Sequence, residues 1–207
     1  MIFHRAPQGS QDWLDARVGV ITASRFKDAR DKLKNDAPSK ASLAYAFDVA
    51  RERAGGSAPA VFQNAAMRLG TEQEPVARAR YEADTGKLVH EVGFAKTEDG
   101  KFGVSVDGLI GDDGVWECKT MVSSATMFDA VVDGNLGEYM DQCNGAMWLL
   151  GRKWVDLSLW VPDLDLLKTI RIARDDDVIE KLEADMMAFE RRVSLLHTSL
   201  ARLLAKD

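Results

Sequence analysis

Phe102-Gly-Val-Ser-Val-Asp107-Gly108-Leu-Ile-Gly-Asp112-Asp113-Gly114-Val115-Trp116-Glu117-Cys118-Lys119-Thr120 decides how this chain is read. Phe102–Asp107 alternates, with Phe102, Val104 and Val106 on one face and Gly103, Ser105 and Asp107 on the other, which is the period of a half-buried strand. Asp112-Asp113-Gly114 signals a turn, and Val115–Thr120 returns as a second strand. The turn folds the two antiparallel, and a pairing centred on it sets Asp107 almost opposite Glu117. Glu117 and Lys119 are two apart and share a face. Cys118 points the other way, toward the core, with an inert thiol, while its backbone carbonyl stays within reach of the site. Two carboxylates and one ammonium therefore converge.

Hard oxygen donors of this kind suit Mg²⁺, which keeps waters and accepts one or two carboxylates. The chemistry they fit is phosphodiester hydrolysis, with the metal polarising the phosphoryl oxygen and lowering the pKa of a bound water. Lys119 orients or deprotonates that water, or neutralises charge on the pentavalent phosphorus. Acting as a base requires a pKa lowered from about 10.4, so positioning and charge stabilisation are the roles assigned. Glu and Lys also alternate on solvated strands as a cross-strand ion pair, so the surrounding residues have to separate the two readings.

Outward from that stretch, helices are expected over Ser10–Arg17, from near Ala23, over Ser39–Ala54 with Leu43, Phe47 and Ala50 on its apolar face, and over Met67–Thr85, ended by Gly86. Ala54-Gly-Gly-Ser-Ala-Pro59 is a break. Ser124–Val132 and Glu138–Leu150 read as helices, and Trp154–Val161 and Leu166–Ala173 as strands. Asp175 caps a long final helix with Val178, Leu182, Met186, Phe189, Val193, Leu196, Leu200 and Leu203 as its stripe. The expected fold is α/β: one domain over residues 1–207, with a core about 10–173 and a C-terminal helix about 175–204.

The chain has 207 residues, a hydrophobic fraction of 46% and a formal net charge of −6. That charge argues against a nonspecific nucleic-acid coat, but not against an enzyme that gathers carboxylates for a metal and confines its cations to one groove. Ser24–Asp36, with Arg25, Lys27, Arg30, Lys32 and Lys34, is a candidate basic surface, or equally a solvated helix face. Two cysteines form neither a disulfide framework nor a usual zinc site. His4, His90 and His197 are scattered, which speaks against a histidine-based hydrolase. No run approaches the roughly 18 apolar residues of a membrane helix. MIFHRAPQGSQDW lacks a secretory apolar run, so a reducing cytoplasm is the expected setting.

Four blocks in order resemble the phage lambda exonuclease family, also called YqaJ-like viral recombinases. They are Trp13-Leu-Asp-Ala-Arg17-Val-Gly19-Val-Ile-Thr22-Ala23-Ser24; Gly70-Thr-Glu-Gln-Glu74-Pro-Val-Ala-Arg-Ala-Arg-Tyr81-Glu82, closing at Thr85-Gly86; Ser105-Val-Asp107-Gly108-Leu109 with Glu117-Cys-Lys119; and Tyr139-Met-Asp-Gln142-Cys-Asn-Gly-Ala-Met147-Trp148, followed by Trp154 and Pro162. The resemblance implies a restriction-endonuclease-like core with a mixed central sheet flanked by helices. It implies that Asp107 and Glu117 bind the metal, where strand geometry also offers the Cys118 carbonyl as a ligand, that Lys119 is the catalytic lysine, that Glu74 contacts the metal through water, and that Gln142 lines the site. Arg17 and Ser24 match residues near DNA phosphates, with Arg17 offering a planar fork and Ser24 capping the helix near Ala23. From the residues alone, Glu74 could instead pair with Arg78 on a solvated helix, and Gln142 could satisfy a core neighbour.

The implied activity is a Mg²⁺-dependent (Mn²⁺ substituting) 5′–3′ exonuclease on double-stranded DNA ends. It would leave 3′ overhangs for a single-strand annealing protein, and the enzyme would be a phage- or prophage-encoded homotrimer in a bacterial cytoplasm. A restriction-like endonuclease and a noncatalytic DNA-binding module are the rivals. A cluster-bearing nuclease is disfavoured, because two cysteines cannot supply four ligands.

The chain departs from the family in one place. Relatives carry an arginine shortly after the Glu-x-Lys strand, on the 5′ phosphate, whereas this chain has no Arg or Lys between Lys119 and Arg152. Ser123 and Ser124 offer neutral donors there, and Arg17 or Arg25 has to supply the formal charge. Neutral donors hold phosphate less strongly than a bidentate guanidinium. Rates on 5′-phosphorylated and 5′-hydroxyl ends should therefore differ only shallowly; a steep preference would mean that another cation grips the phosphate.

Overall fold

A computed structural model describes residues 1–57 and 65–205. They form two compact units, each assembled from separated segments: Met1–Ala60, Gly93–Ser105 and Asp175–Asp207 in the first, Val61–Val92 and Val106–Arg174 in the second. Of the glycine-rich break after Ala54, Ala58 and Pro59 lie outside the described residues.

In the first unit, β1 (Ile2–His4), β2 (Ile21–Thr22), β3 (Phe94–Lys96) and β4 (Phe102–Ser105) make a sheet of order β1-β3-β4-β2. Only the β2–β4 pair is parallel. Its helices are α1 (Gln11–Arg17), α2 (Phe26–Arg30), α3 (Lys40–Arg53) and α7 (Asp176–Leu204). Ser10 caps α1 by accepting from the Trp13 amide, and Ser39 caps α3 by accepting from Ser42. The core joins Ile21, Phe26, Phe94, Phe102, Val49, Leu182, Met186 and Phe189.

In the second unit, α4 (Ala65–Thr85), β5 (Gly108–Ile110), β6 (Gly114–Thr120), α5 (Ser124–Met127), α6 (Gly137–Leu150), β7 (Trp154–Val161) and β8 (Leu166–Ala173) build a sheet of order β5-β6-β7-β8 with helices on both faces. The β6–β7 pair is parallel and its flanking pairs are antiparallel. Strand alternation assigns the faces. Trp116 and Trp160 pack with Ala77 and Tyr81 of α4, with Cys118 at their margin, while Glu117 and Lys119 project oppositely and reach Gln142 of α6. Among the described residues no helix is long and apolar enough to cross a membrane.

The mixed α/β class, the long last helix and both final strands match the sequence reading. Four details differ. The alternating stretch from Phe102 is not one strand, because β4 ends at Ser105 in one sheet and β5 begins at Gly108 in another. The α3 face is turned: Tyr45, Ala46, Val49 and Ala50 are buried and Phe47 is 54% exposed. Polar bonds set that rotation, since the Thr22 amide donates to the Tyr45 hydroxyl at 2.9 Å and the Ser42 hydroxyl donates to the Ala29 carbonyl at 2.8 Å. The stripe of α7 runs through Ile179 in place of Val178 and ends its buried part at Val193, leaving Leu203 exposed. The helix expected over Ser124–Val132 is one α-helical turn passing into a π-helical turn, Phe128–Val132.

Gly103 in β4 marks a close approach. A Cβ there would stand 2.2 Å from the Phe94 ring and 3.0 Å from Val20. Gly103→Ala should therefore destabilise the protein by about 1–3 kcal/mol through overpacking, read as a lower denaturant midpoint at unchanged slope.

Candidate metal-dependent active site

The β5–β6 ladder pairs Gly108 with Trp116, Leu109 with Val115 and Ile110 with Gly114. Its next step would pair Asp107 with Glu117. There the side chain takes over from the backbone: the Cys118 amide donates to Asp107 Oδ2 at 2.7 Å. Asp competes with the ladder for backbone donors in this way, and this is why the strand breaks before Gly108. On its other side β6 continues along β7 to the Lys119–Leu159 and Thr120–Trp160 pairs. The last part of β6 is thus a fixed strand whose other edge is occupied by a carboxylate.

Glu117 is 3% exposed. Lys119 Nζ donates to Glu117 Oε1 at 2.9 Å and to Gln142 Oε1 at 3.1 Å, and the Gln142 amide also donates to Glu117. The three side chains thus close a ring between β6 and α6. Glu74 comes from α4: the charges of Asp107 and Lys119 both act on it, as does that of Arg78. Arg78 makes its own ion pair with Glu91, so the solvated Glu74–Arg78 pair is not the arrangement found. Five residues picked from the sequence, Glu74, Asp107, Glu117, Lys119 and Gln142, meet within the second unit.

The electrostatics follow from burial. Loss of water raises Glu117 to about 7, the charge of Asp107 adds to the rise, and Lys119 only partly opposes it. Glu74 rises to about 7 by burial and then by Asp107. Asp107 is itself raised by burial, against the pull of Lys119, the Cys118 amide and Arg78. Burial alone would lower Lys119, but Glu117 and Asp107 outweigh it and its pKa rises, so it stands as a fixed ammonium. Burial also raises the Cys118 thiol, and it pushes Cys143 up to about 12, so both stay protonated.

Buried carboxylates in excess of their one lysine make a donor set that fits a hard divalent cation. Among the described residues no three His, Cys, Asp or Glu side chains converge tightly enough to hold an ion alone.

The remaining candidates are placed differently. Arg17 belongs to the first unit, where it stacks over Trp13 at 4.2 Å and Phe94 at 5.5 Å and donates to Ser105 Oγ at 3.1 Å. Arg25 lies over Tyr45 at 4.1 Å and pairs with Asp28 at 2.7 Å. Ser24 is exposed inside the helical turn Ala23–Arg25, whose N-cap is Thr22, so it does not cap that turn. Ser123 is the N-cap of α5 without a side-chain capping bond, and both it and Ser124 are exposed. Within Ser24–Asp36, Arg30 and Lys32 share Asp185 of α7 and Arg25 pairs with Asp28.

Two residues near the site carried no assignment from sequence. The field of Arg78 favours the ionised forms of Glu74 and Asp107; its i,i+4 spacing from Glu74 was the available signal, but it suggested a simple pair. Tyr139 lies one turn before Gln142 on α6, and its phenol is in the field of Lys119; the shared helix face was the signal for it.

The YqaJ-like viral recombinase domain matches residues 12–153 of the chain. This protein belongs to the YqaJ-like viral recombinase family. An alkaline exonuclease from Laribacter hongkongensis shares 35% identity over 95% of this chain and 99% of its own, with a TM-score of 0.83. The same exonuclease in complex with dAMP gives 0.84 at the same identity and coverage. A phage related exonuclease from Haemophilus somnus 129PT shares the fold, with a TM-score of 0.71 and 14% identity over 87% of this chain and 96% of its own. No curated protein matches the chain.

For this recombinase-family site the raised carboxylates fix a pH dependence. Glu74 and Glu117 have ordinary values of 4.5 and folded values of about 7. Between those limits the folded state binds more protons than the unfolded state, so its stability falls as pH rises through the window. In chelator, the thermal midpoint should carry a component that declines from about pH 5 to about pH 7.5. Asp107→Asn should reduce it, because burial still lifts both glutamates but the added charge of Asp107 is gone. Mg²⁺ should raise the midpoint more above pH 7 than below it, since its ligands must be ionised. A slope unchanged in Asp107→Asn would refute this electrostatic account.

Proposed function

We propose that this protein is a Mg²⁺-dependent deoxyribonuclease that degrades one strand of duplex DNA from its 5′ end and leaves a 3′ single-stranded overhang for annealing recombination. The observation that carries the proposal is the meeting of Asp107, Glu117, Lys119, Gln142 and Glu74 where the β5–β6 ladder gives way to the Asp107–Cys118 bond. Family membership and the likeness to an alkaline exonuclease over 95% of the chain support the reaction class.

Asp107, Glu117 and the Cys118 carbonyl are the proposed metal ligands, with Glu74 acting through water. In an extended strand a residue's N–H and C=O point to the same edge, so the Cys118 carbonyl is directed to the side where its amide meets Asp107. Bound there, Mg²⁺, or Mn²⁺ in its place, supplies Lewis acidity to the phosphoryl oxygen and an activated water. The ammonium of Lys119, held by Glu117 and Gln142, stabilises charge growing on the phosphate. Its raised pKa favours that role over general-base catalysis. Glu74, with a pKa near neutrality, can accept the proton of the attacking water. Arg17, Ser24, Arg25, Ser123 and Ser124 are kept as proposed phosphate contacts. A single nuclease domain formed by the whole chain, a homotrimer, a single-strand annealing partner and a phage or prophage gene expressed in a bacterial cytoplasm complete the reading.

Linear duplexes labelled at either end, and covalently closed circles, each with Mg²⁺ or chelator, test it. Linear DNA should be shortened from 5′ ends only with Mg²⁺, and circles should survive. Cut circles would favour a restriction-like endonuclease, and binding without cleavage a noncatalytic module. Asp107→Ala and Lys119→Ala should each lose at least about a hundred-fold in rate while keeping a cooperative unfolding transition. A folded Asp107→Ala enzyme of near-normal rate would discard the site.

A further inference from the structure

The helix that brings Glu74 to the site has little apolar hold on the sheet. Of the 21 residues of α4 only Ala77 and Tyr81 are buried. Pro75, beside Glu74, cannot donate to the carbonyl one turn earlier. Burial of this kind is non-directional and fixes neither the rotation nor the axial slide of a helix.

Directed bonds do so here. The Tyr81 hydroxyl donates to Asp156 Oδ2 at 2.6 Å, both groups being buried. Asp156 is itself fixed: Arg171 grips it through Nε and Nη2 at 2.7 Å each, Lys87 lies 3.4 Å away, and the Arg171 guanidinium is stacked 3.7 Å from the Trp154 ring. One residue before Glu74, Gln73 accepts from Trp160 Nε1 at 3.1 Å. Tyr81 lies seven residues, about 10 Å along the axis and two turns, beyond Glu74 on the same helix face.

We propose that the Tyr81–Asp156 bond, seconded by Gln73–Trp160, is a positioning device that sets Glu74 against the metal site. Tyr81 touches no reacting atom and acts through Glu74. The alternative is that the phenol merely satisfies a buried carboxylate. The inference rests on the nuclease reading of Glu74 given above.

Tyr81→Phe removes one oxygen and leaves Asp156 with Arg171 and Lys87, so the fold should survive. Tyr81→Phe, Glu74→Gln and the double variant are compared in the full-length protein by calorimetric titration with Mg²⁺ and by the Mg²⁺ concentration that half-saturates cleavage. Tyr81→Phe should weaken Mg²⁺ roughly ten-fold, as loss of an outer-shell partner does, and excess Mg²⁺ should recover most of the rate. In the double variant the Tyr81→Phe effect should vanish, because there is no Glu74 carboxylate left to position. Full additivity overturns the proposal, since a general loosening of the fold would act with or without Glu74. A Tyr81→Phe protein indistinguishable from native beside an impaired Glu74→Gln overturns the proposal alone. If Glu74→Gln is itself indistinguishable from native, the reading of Glu74 falls and takes the proposal with it.

Discussion

The Cys118 amide donating to Asp107 at 2.7 Å is the interaction on which the site depends. A backbone donor that a longer hairpin would have used is given to a carboxylate. The ladder therefore stops at Gly108–Trp116, and the strand beyond carries Glu117 and Lys119 toward Gln142. The cost is electrostatic, because burial raises Asp107, Glu117 and Glu74 alike and the charge of Asp107 adds to the rise of the two glutamates. One lysine, held between Glu117 and Gln142, does not balance that charge. A hard divalent cation is the kind of partner that such an excess of buried carboxylate suits.

The second unit divides its labour between the faces of one sheet. Toward α6, β7 presents Val155, Leu157 and Leu159, all fully buried, and α6 answers with Cys143, Ala146 and Met147. Tight packing of this kind gives a stiff backing for Gln142. Toward α4 the sheet offers polar atoms in register: Asp156 meets Tyr81, Trp160 meets Gln73, and Trp116 Nε1 donates to Ser158, which bonds Thr169. Satisfied buried networks fix geometry more narrowly than apolar contact does, and this is the face from which Glu74 enters. The first unit uses similar means at Thr22, Tyr45 and Ser42, where hydrogen bonds choose which side of α3 is buried.

Several features were legible from the amino-acid sequence because they are local. Trp154–Val161 and Leu166–Ala173 read as strands with the limits found, Ser10, Ser39 and Asp175 announced helix starts, and the turn before Val115 set Asp107 across from Glu117. The two-residue spacing put Glu117 and Lys119 on one face, and ordered motifs drew in Glu74 and Gln142. What was misjudged depended on partners distant in sequence. Phe47 looked like a core residue until Tyr45 was bonded to Thr22 and stacked on Phe189 at 5.3 Å. For Arg30 and Lys32 the sequence left a basic surface and a solvated helix face level, and Asp185, more than 150 residues away, pairs with both.

The sequence by itself placed Glu117 and Lys119 on one strand face, because strand periodicity sets side chains by near-neighbour geometry alone. Tertiary structure decided the electrical state of the site residues and their supports. The pKa values of Glu74 and Glu117 depend on burial and on Asp107, and the hold on α4 depends on Asp156 and Trp160 from another element. Desolvation and directed hydrogen bonds are properties of the assembled neighbourhood, and no local period in the chain encodes them.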